Sequence, residues 1–328
     1  MSIVIVGPGA LGCLLASRLY LAVRRPGPTD DHDQVCLLDH NRQRAIALNR
    51  RGLFMEDAQA SPSGRLMAPP GPESTVSYGP LMIAVGADPA VITGAKLILL
   101  CVKAFALPRA LAEISPFLVP SALLIALQNG ISHLELMRQM SARCRPALGV
   151  STEGANLTAM GRVRYGGAGL TQIGYLSASA IPDDPLIKAV STLNRAGIRT
   201  EISEDIQRAL WLKLIVNAGI NALTVIHDCP NGELLKIPAA RKTMAAVVRE
   251  AAAVAAAAGA APNENPVTST EEICRQTAAN LSSMLQDVRR GKPTEIMAIN
   301  GEVVRRATQY GLAVPANREL VAKVQRYS

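Results

Sequence analysis

Three polar residues recur at steps of four within an otherwise apolar stretch, and their chemical types suit a binding site. Residues 209–221 read Ala-Leu-Trp-Leu-Lys-Leu-Ile-Val-Asn-Ala-Gly-Ile-Asn, so the polar ones are Lys213, Asn217 and Asn221. Steps of four drift by only about 40° around a helix, which places the three side chains on one face. Because the other faces are apolar, we expect this helix to be buried, and its polar face then needs partners in the protein or in a cavity.

Two interpretations of this polar face stay open. In the first, it lines a cavity that holds a ligand. In the second, Lys213 extends to solvent while Asn217 and Asn221 cap or cross-link neighbouring helices. A nucleotide site and a second polar cluster elsewhere in the chain favour the first interpretation.

The second polar cluster lies near the C-terminus. Asn280, Ser283 and Asp287 recur at i, i+3 and i+7, which predicts a polar face on another long helix. Glu295 follows shortly afterwards. Its alternative role is structural, because an acid in the first helical turn after a cap at Thr294 gains under about 1 kcal/mol from the helix dipole.

A glycine-rich turn between a strand and a helix predicts a dinucleotide site. The apolar run Ile3–Val6 is typical of a buried parallel strand, and leucines at helical spacing come after the turn. The first glycine permits the tight turn, the second lets a pyrophosphate approach the backbone, and the third lets helix and strand pack closely. Phosphates would bind the helix N-terminus. The alternative is a purely structural turn. The residues of the turn are Gly7, Pro8, Gly9, Ala10, Leu11 and Gly12.

Charged residues after the second predicted strand bear on the choice of cofactor. Asp39 closes the strand Val35–Leu38, where an acid accepts hydrogen bonds from the adenine ribose and favours NAD. Arg42 and Arg44 lie just beyond and could hold the 2′-phosphate of NADP instead. Asp39 could also simply cap the helix predicted over residues 42–49.

Two further polar residues follow predicted strands. Lys103 comes after the run Leu97–Val102, and Asn129 comes shortly after Ala122–Leu127. Ligands of open parallel sheets bind beyond the carboxyl ends of the strands, which makes both residues candidates for the site. Because Asn-Gly favours turns, a turn at Asn129 and the following glycine is the alternative.

The order of predicted elements indicates two domains in this 328-residue chain. The pattern over residues 1–202 predicts an α/β, Rossmann-type dinucleotide-binding domain. Its later part has strands over 146–150, 162–165, 170–175 and 198–202 and a helix over 187–195. Earlier in the domain, a loop is predicted over 24–34, and a loop or a pair of irregular edge strands over 61–78. Residues 203–328 predict an all-helical substrate and catalytic domain with helices over 204–226, 238–259, 270–290 and 294–310.

Composition excludes several classes of function. The six cysteines and four histidines show no ligand spacing, so we expect neither a metal site nor a disulfide framework and predict a reducing, cytoplasmic location. No apolar run approaches the roughly 20 residues of a membrane span, and no cleavable signal precedes the first strand. The net charge is +8, but only 3% of residues are aromatic and basic runs are short, which argues against nucleic acid and fits an anionic small ligand.

The motifs taken together resemble the ketopantoate reductase family, and the resemblance spans nearly the whole chain. Its C-terminal motifs are more specific than the glycine turn. It implies NADPH-dependent reduction of ketopantoate to pantoate, a step of pantothenate and coenzyme A biosynthesis. The motifs are Gly-Pro-Gly-Ala-Leu-Gly (7–12), Val-Lys-Ala (102–104), Gln-Asn-Gly (128–130), Trp-x-Lys-x-x-x-Asn-x-x-x-Asn (211–221), Cys-Pro-Asn-Gly-Glu-Leu (229–234), Asn-x-Ser-Ser-Met-Leu-Gln-Asp (280–287) and Thr-Glu-Ile followed by Ile-Asn-Gly (294–301).

The resemblance also implies roles for individual residues. Lys213 corresponds to the catalytic lysine, and Glu295 to the acid that supports it. Lys103 and Asn129 correspond to positions near the nicotinamide and the substrate, and the remaining substrate-binding positions are Asn217, Asn221, Asn280 and Ser283.

One departure from the family pattern affects the cofactor prediction. Asp39 and His40 stand where the family commonly has Gly-Arg at the end of the second strand. We therefore place both in the cofactor-binding set and keep NADH open beside NADPH. The competing functions are a dehydrogenase of another 2-oxo acid and a non-catalytic NAD(P)-sensing protein. The expected partner is a small keto acid, and the sequence leaves the oligomeric state open, a homodimer included.

Overall fold

The computed structural model describes residues 2–24, 34–57, 75–177 and 182–327. Most of the predicted loops over 24–34 and 61–78 lies outside these residues. The chain divides into two compact units. The first contains Met1–Gln128 and His133–Ile206, and the second contains Asn129–Ser132 and Gln207–Ser328.

The first unit is built on a sheet that has eight strands among the described residues, in the order β12-β11-β8-β7-β6-β1-β2-β5. Neighbours from β5 to β8 are parallel, β11 is antiparallel to β8, and β12 is parallel to β11. The order β5-β2-β1-β6-β7-β8 is that of a Rossmann sheet, which confirms the predicted fold class. The strands are β1 Ser2–Val6, β2 Gln34–Leu38, β5 Ala84–Gly86, β6 Leu97–Leu100, β7 Leu123–Ala126, β8 Arg145–Ser151, β11 Thr171–Tyr175 and β12 Thr200–Ile202.

The central strands of the sheet are apolar along their whole length, which suits them to the interior. Strands β6 and β7 read Leu-Ile-Leu-Leu and Leu-Leu-Ile-Ala and are buried at every position, as expected for strands covered on both faces. Helices of this unit supply the cover, and Cys13, Leu14 and Leu19 on the first of them join the core. The helices are α1 Ala10–Val23, α2 Arg42–Arg51, α3 Leu107–Ile114, α4 Leu134–Gln139 and α5 Asp184–Arg195.

A second, smaller sheet was only partly predicted. Its order is β4-β3-β10-β9, with β3 parallel to β10 and the other neighbours antiparallel. Strand β10 was expected, whereas β3 and β9 were not. Strand β9 has no buried residue, so its apolar signal is weak, whereas β3 alternates buried and half-buried residues. Strand β4 begins inside the segment predicted as a loop or a pair of irregular edge strands. The strands are β3 Leu53–Asp57, β4 Val76–Leu81, β9 Gly154–Ala159 and β10 Arg162–Gly167.

All regular elements that the structure describes in the second unit are helices. Its helices are α6 Ile206–His227, α7 Pro238–Ala257, α8 Pro266–Gln276, α9 Ser283–Arg289, α10 Asn300–Gln309 and α11 Pro315–Val324. Against the expectation of no long apolar segment, the 22-residue α6 is apolar enough by length and composition to cross a membrane. However, 67% of its most apolar window is buried within the protein, as in the core helix of a folded domain.

Two predicted C-terminal helices were wrong. The helix expected over 270–290 is broken between α8 and α9, because Ser282 caps the new helix by accepting a hydrogen bond from the Leu285 N–H over 3.1 Å. Asn280 therefore precedes a helix and does not share a helical face with Asp287. The helix expected over 294–310 begins only at Asn300, so the structural role of Glu295 in a first turn capped by Thr294 was also wrong.

Candidate active site

Most of helix α6 is buried, and one face of it carries the predicted polar seam of Lys213, Asn217 and Asn221. Trp211, Leu214 and Ala218 are each at most 3% exposed, so the apolar faces of the helix pack in the interior. Lys213 and Asn217 are half-buried, while Asn221 is buried. Asn221 therefore has the least exposed surface of the three polar residues.

Burial and a neighbouring carboxylate shift the pKa of Lys213 in opposite directions. Removal from water lowers the pKa of Lys213 from its ordinary value near 10.5 to about 8, and the negative charge of Glu295 opposes that shift. Glu295 is 5% exposed and its Oε2 accepts a hydrogen bond from Asn129 Nδ2 over 3.2 Å. The arrangement is thus an ammonium with a lowered pKa, a carboxylate that favours its charged form, and an amide that orients the carboxylate.

The turn that carries Asn129 and the turn that carries Glu295 are in direct contact. Gly130 has φ +83°, and a Cβ built on it would lie 2.2 Å from the carbonyl oxygen of Ala298. Asn129 therefore lies in a bend, as the structural alternative expected, and its side chain also reaches the carboxylate. Only glycine fits at residue 130, which holds Asn129 close to Glu295.

The structure places Asn280 and Ser283 on exposed positions around the break between α8 and α9. The neighbouring Ser282 is the residue that contacts the seam helix, since its hydroxyl lies 2.6 Å from that of Thr224 on α6. Neither Ser282 nor Thr224 was singled out from the sequence. Thr224 lies three residues after Asn221 and so could have been found as an extension of the polar seam.

A second set of residues, which was not predicted from the sequence, holds α6 in place through buried amide hydrogen bonds. Asn300 Nδ2 donates to the Ala218 carbonyl oxygen over 3.1 Å and to Asn317 Oδ1 over 3.1 Å. Asn317 Nδ2 in turn donates to the Val247 carbonyl oxygen and to Glu250 Oε2. These buried amides connect α6 to α7, α10 and α11 beside Asn217. Asn300 belongs to the Ile-Asn-Gly motif, which was the available signal.

In the first unit, the glycine turn has the shape that a pyrophosphate requires. Gly7 has φ +102°, and a Cβ on Gly12 would lie 2.0 Å from the Gly7 carbonyl oxygen, so neither position accepts a side chain. A Cβ on Gly9 would come no closer than 3.7 Å to other atoms of the protein, which is an ordinary van der Waals contact and leaves room for a methyl group. Gly9 precedes α1 without a side-chain cap, so the helix N-terminus can receive an anion. These residues fit a dinucleotide.

Asp39 and Arg44 form a closed ion pair at the end of β2. Arg44 Nε donates to Oδ2 over 2.5 Å and Nη2 donates to Oδ1 over 2.6 Å, while the Asn41 N–H also donates to Oδ1 over 2.9 Å. Asp39 is fully buried, and its hydrogen bond raises the pKa of Arg44. The cap of α2 is Asn41, so the alternative role of Asp39 as a helix cap was wrong.

The other predicted cofactor residues also follow the carboxyl ends of strands of the eight-stranded sheet. His40 and Arg42 are exposed, and Lys103 is half-buried three positions after the last residue of β6. Gln128, which belongs to the Gln-Asn-Gly motif but was assigned no role, donates from Nε2 to the carbonyl oxygens of Leu100 over 3.0 Å and of Val102 over 3.2 Å. Gln128 thereby fixes the chain just before Lys103.

Family models match both parts of the chain. The model for ketopantoate reductase PanE/ApbA covers residues 3–178, and that for its C-terminal region covers residues 205–328. The chain belongs to the ketopantoate reductase family. The 2-dehydropantoate 2-reductases of Halobacterium salinarum and Vibrio cholerae are each 31% identical to it over 99% of its length and 98% and 97% of theirs.

Solved structures agree with the fold. A PanE/ApbA family ketopantoate reductase from Ralstonia eutropha JMP134 is 29% identical, with a TM-score of 0.84 over 100% of this chain and 98% of its own. D-mandelate dehydrogenase in complex with NADH has a TM-score of 0.81 at 24% identity over 99% of this chain and 98% of its own, and that likeness concerns the fold.

Proposed function

We propose that this ketopantoate reductase family member is a 2-dehydropantoate 2-reductase that reduces ketopantoate to pantoate. The observation that supports this most is the arrangement of Lys213 with Glu295 and Asn129 in the second unit. A lysine whose pKa lies near 8 suits an acid that works close to neutral pH. We further propose that residues 203–328 form the substrate and catalytic domain, and that the enzyme acts in the cytoplasm.

The proposed chemistry divides between the cofactor and the side chains. A bound reduced nicotinamide supplies hydride to the keto carbon, and negative charge develops on the carbonyl oxygen. Lys213 stabilises that charge through its ammonium and donates a proton to the oxygen. Glu295 favours the charged form of Lys213, and Asn129 fixes the carboxylate.

Substrate recognition is assigned to the neutral polar groups. Asn217 and Asn221 follow Lys213 along the same helix face, where amides can pair with the carboxylate and hydroxyl groups of ketopantoate. Asn280 and Ser283 complete the proposed set. A site that hydrogen-bonds a substrate hydroxyl discriminates strongly against analogues that lack it, because its polar groups are then left unpaired.

Substrate profiling tests this assignment. Consumption of the reduced cofactor must depend on a keto acid, and kcat/KM for ketopantoate should exceed that for pyruvate and 2-oxoisovalerate. Comparable efficiency with those two acids would refute the specific substrate and leave a general 2-oxo acid reductase. No turnover with any keto acid, despite dinucleotide binding, would favour a sensing protein.

For the cofactor, we propose NADPH with tolerance of NADH within about tenfold, or about 1.4 kcal/mol. Asp39 alone would repel a 2′-phosphate, but its buried carboxylate is paired on both oxygens with Arg44. A guanidinium contact to phosphate contributes about 1.5–3 kcal/mol, and Arg42 is a second candidate for it.

Dinucleotide affinities test the cofactor proposal without turnover. Calorimetry with NADP⁺ and NAD⁺ should show that Arg44→Ala weakens NADP⁺ more than NAD⁺, whereas Asp39→Gly frees Arg44 and increases the preference for NADP⁺. Arg50→Ala, which alters an exposed arginine at the far end of α2, is the matched control. A strong NADP⁺ preference that neither substitution changes would mean that Asp39 and Arg44 serve only the fold.

A further inference from the structure

The segment between α8 and α9 is held at its start by a neighbouring turn. Asn231 Nδ2 donates to Thr277 Oγ1 over 2.9 Å, and the Asn231 N–H donates to the Asn280 carbonyl oxygen over 3.0 Å. The Gly232 N–H donates to the Ala278 carbonyl oxygen over 3.1 Å. A Cβ on Gly232 would lie 2.6 Å from that of Ala278, so the two backbones are in close contact.

The end of the same segment is held by a chain of hydroxyl groups. Thr224 Oγ1 donates to the Asn221 carbonyl oxygen over 2.8 Å, which leaves it to accept from Ser282 Oγ at 2.6 Å. Ser282 Oγ in turn accepts from the Leu285 N–H. Each hydroxyl therefore donates once and accepts once between the helix turn of Asn221 and the first turn of α9.

Burial makes this chain of hydroxyl groups sensitive to the loss of any one of its hydrogen bonds. Thr224 is fully buried and Ser282 is 6% exposed, so a lost partner would leave a polar atom without water to replace it. Asn280 and Ser283, in contrast, are exposed, so nothing comparable fixes their side chains directly. Their location depends on where residues 277–283 are held.

We propose that Thr224 and Asn231 are positioning residues that set the location of Asn280 and Ser283 for a polar 2-oxo acid. The proposal rests on the substrate role assigned above to those two residues. Thr224 ties the end of the segment to the helix turn that carries Asn221, and Asn231 ties its start. Neither touches the reacting atoms, so losing either should weaken substrate binding more than turnover.

Steady-state kinetics with ketopantoate test Thr224 first. Thr224→Val keeps the shape and removes the hydroxyl, and it should raise KM about 2- to 10-fold, the factor expected for one hydrogen bond, while kcat changes by less than twofold. Thr224→Ser should restore KM. Thr308→Val is the matched control, because that exposed hydroxyl bonds only within α10.

Asn231 is tested by a double-mutant cycle with Thr277. Asn231→Ala and Thr277→Val should each raise KM, and the double variant should raise it by less than the product of the two effects, because both remove one contact. A multiplicative result would overturn the assignment. So would a fall in Tm of Thr224→Val or Asn231→Ala with KM unchanged, since the residues would then only stabilise the fold.

Amide hydrogen exchange provides a readout that does not depend on turnover. Residues 278–283 should exchange faster in Thr224→Val and in Asn231→Ala than in the parent, and calorimetric affinity for pantoate should fall in both variants. Unchanged exchange and unchanged affinity would refute the positioning role. Failure of the parent to reduce ketopantoate would instead refute the proposed function, while the exchange and affinity for other 2-oxo or 2-hydroxy acids still test the segment.

Discussion

Removal of the Lys213 ammonium is the most direct test of the proposed chemistry. With a pKa of about 8, roughly nine-tenths of the lysine is protonated at pH 7, so the parent begins its reaction with the acid in place. A charge-assisted hydrogen bond contributes about 1.5–3 kcal/mol, and a positioned general acid contributes about 10²- to 10⁴-fold. Because both effects act through one proton, we do not multiply them and expect Lys213→Ala to lower kcat by roughly 10²-fold or more.

The pH profile makes the test specific. In the parent, kcat measured by the loss of reduced-nicotinamide absorbance should fall tenfold per pH unit above about pH 8, because the acid loses its proton. This fall at alkaline pH, the alkaline limb of the kcat profile, should disappear in Lys213→Ala, and added methylammonium should restore part of the rate. Dinucleotide affinity should be retained. Lys323→Ala, which removes an exposed lysine paired with Glu319, is the matched control.

Two outcomes would refute this reasoning. Near-parent kcat in Lys213→Ala would return the residue to the structural interpretation, a lysine that extends to solvent from a buried helix. A variant with low kcat that keeps the alkaline limb would show that another group is the acid. Loss of dinucleotide affinity together with activity would indicate a folding defect.

Two further predictions concern neighbouring parts of the site. Glu295→Gln should lower kcat partially and move the alkaline limb to lower pH, because the Glu295 charge raises the pKa of Lys213; an unmoved limb in the kcat profile would contradict this. Gly9→Ala should weaken dinucleotide binding by calorimetry with little change in Tm, since its Cβ meets nothing closer than 3.7 Å, whereas Gly12→Ala should lower Tm because its Cβ would lie 2.0 Å from the Gly7 carbonyl oxygen. Equal effects of the two alanines on Tm would refute the distinction.

Local patterns were enough to predict the polar seam and the glycine turn of the candidate site. The seam of Lys213, Asn217 and Asn221 depends on residues within one helix, and the glycine turn depends on six consecutive residues between a strand and a helix. Periodicity and turn chemistry record such features directly. The Rossmann sheet could likewise be predicted because its central strands are continuous apolar runs.

Features that depend on distant parts of the chain could not be predicted in this way. The segment between α8 and α9 accepts backbone hydrogen bonds from Asn231 and Gly232, which lie more than forty positions earlier in the chain. Glu295 lies in a turn whose partner is Asn129, with 166 positions between them. The pairing of Asp39 with Arg44 is local. However, the sequence alone could not decide whether each of these residues contacts the ribose of a cofactor, a phosphate of a cofactor, or the other residue.

The lowered pKa of Lys213 also predicts opposite pH trends for stability and activity. Between about pH 8 and 10.5 the unfolded chain binds more protons at this lysine than the folded chain does, so this group makes unfolding harder as the pH rises. Activity falls over the same range. A lysine kept for stability would be expected to have a raised pKa and the reverse sign.

Other groups titrate in that range, so the measurement needs a difference between variants. Burial raises the pKa of Cys13 and Cys144 to about 12, and each therefore lowers stability as the pH rises above 9. Lys213→Met keeps these contributions and removes only that of the lysine. The free energy of unfolding, measured by denaturant titration at pH 7.5 and pH 10, should therefore rise with pH more in the parent than in Lys213→Met. An equal pH dependence would mean that the ammonium is not desolvated in the folded protein, and the alkaline limb of kcat would then need a different acid.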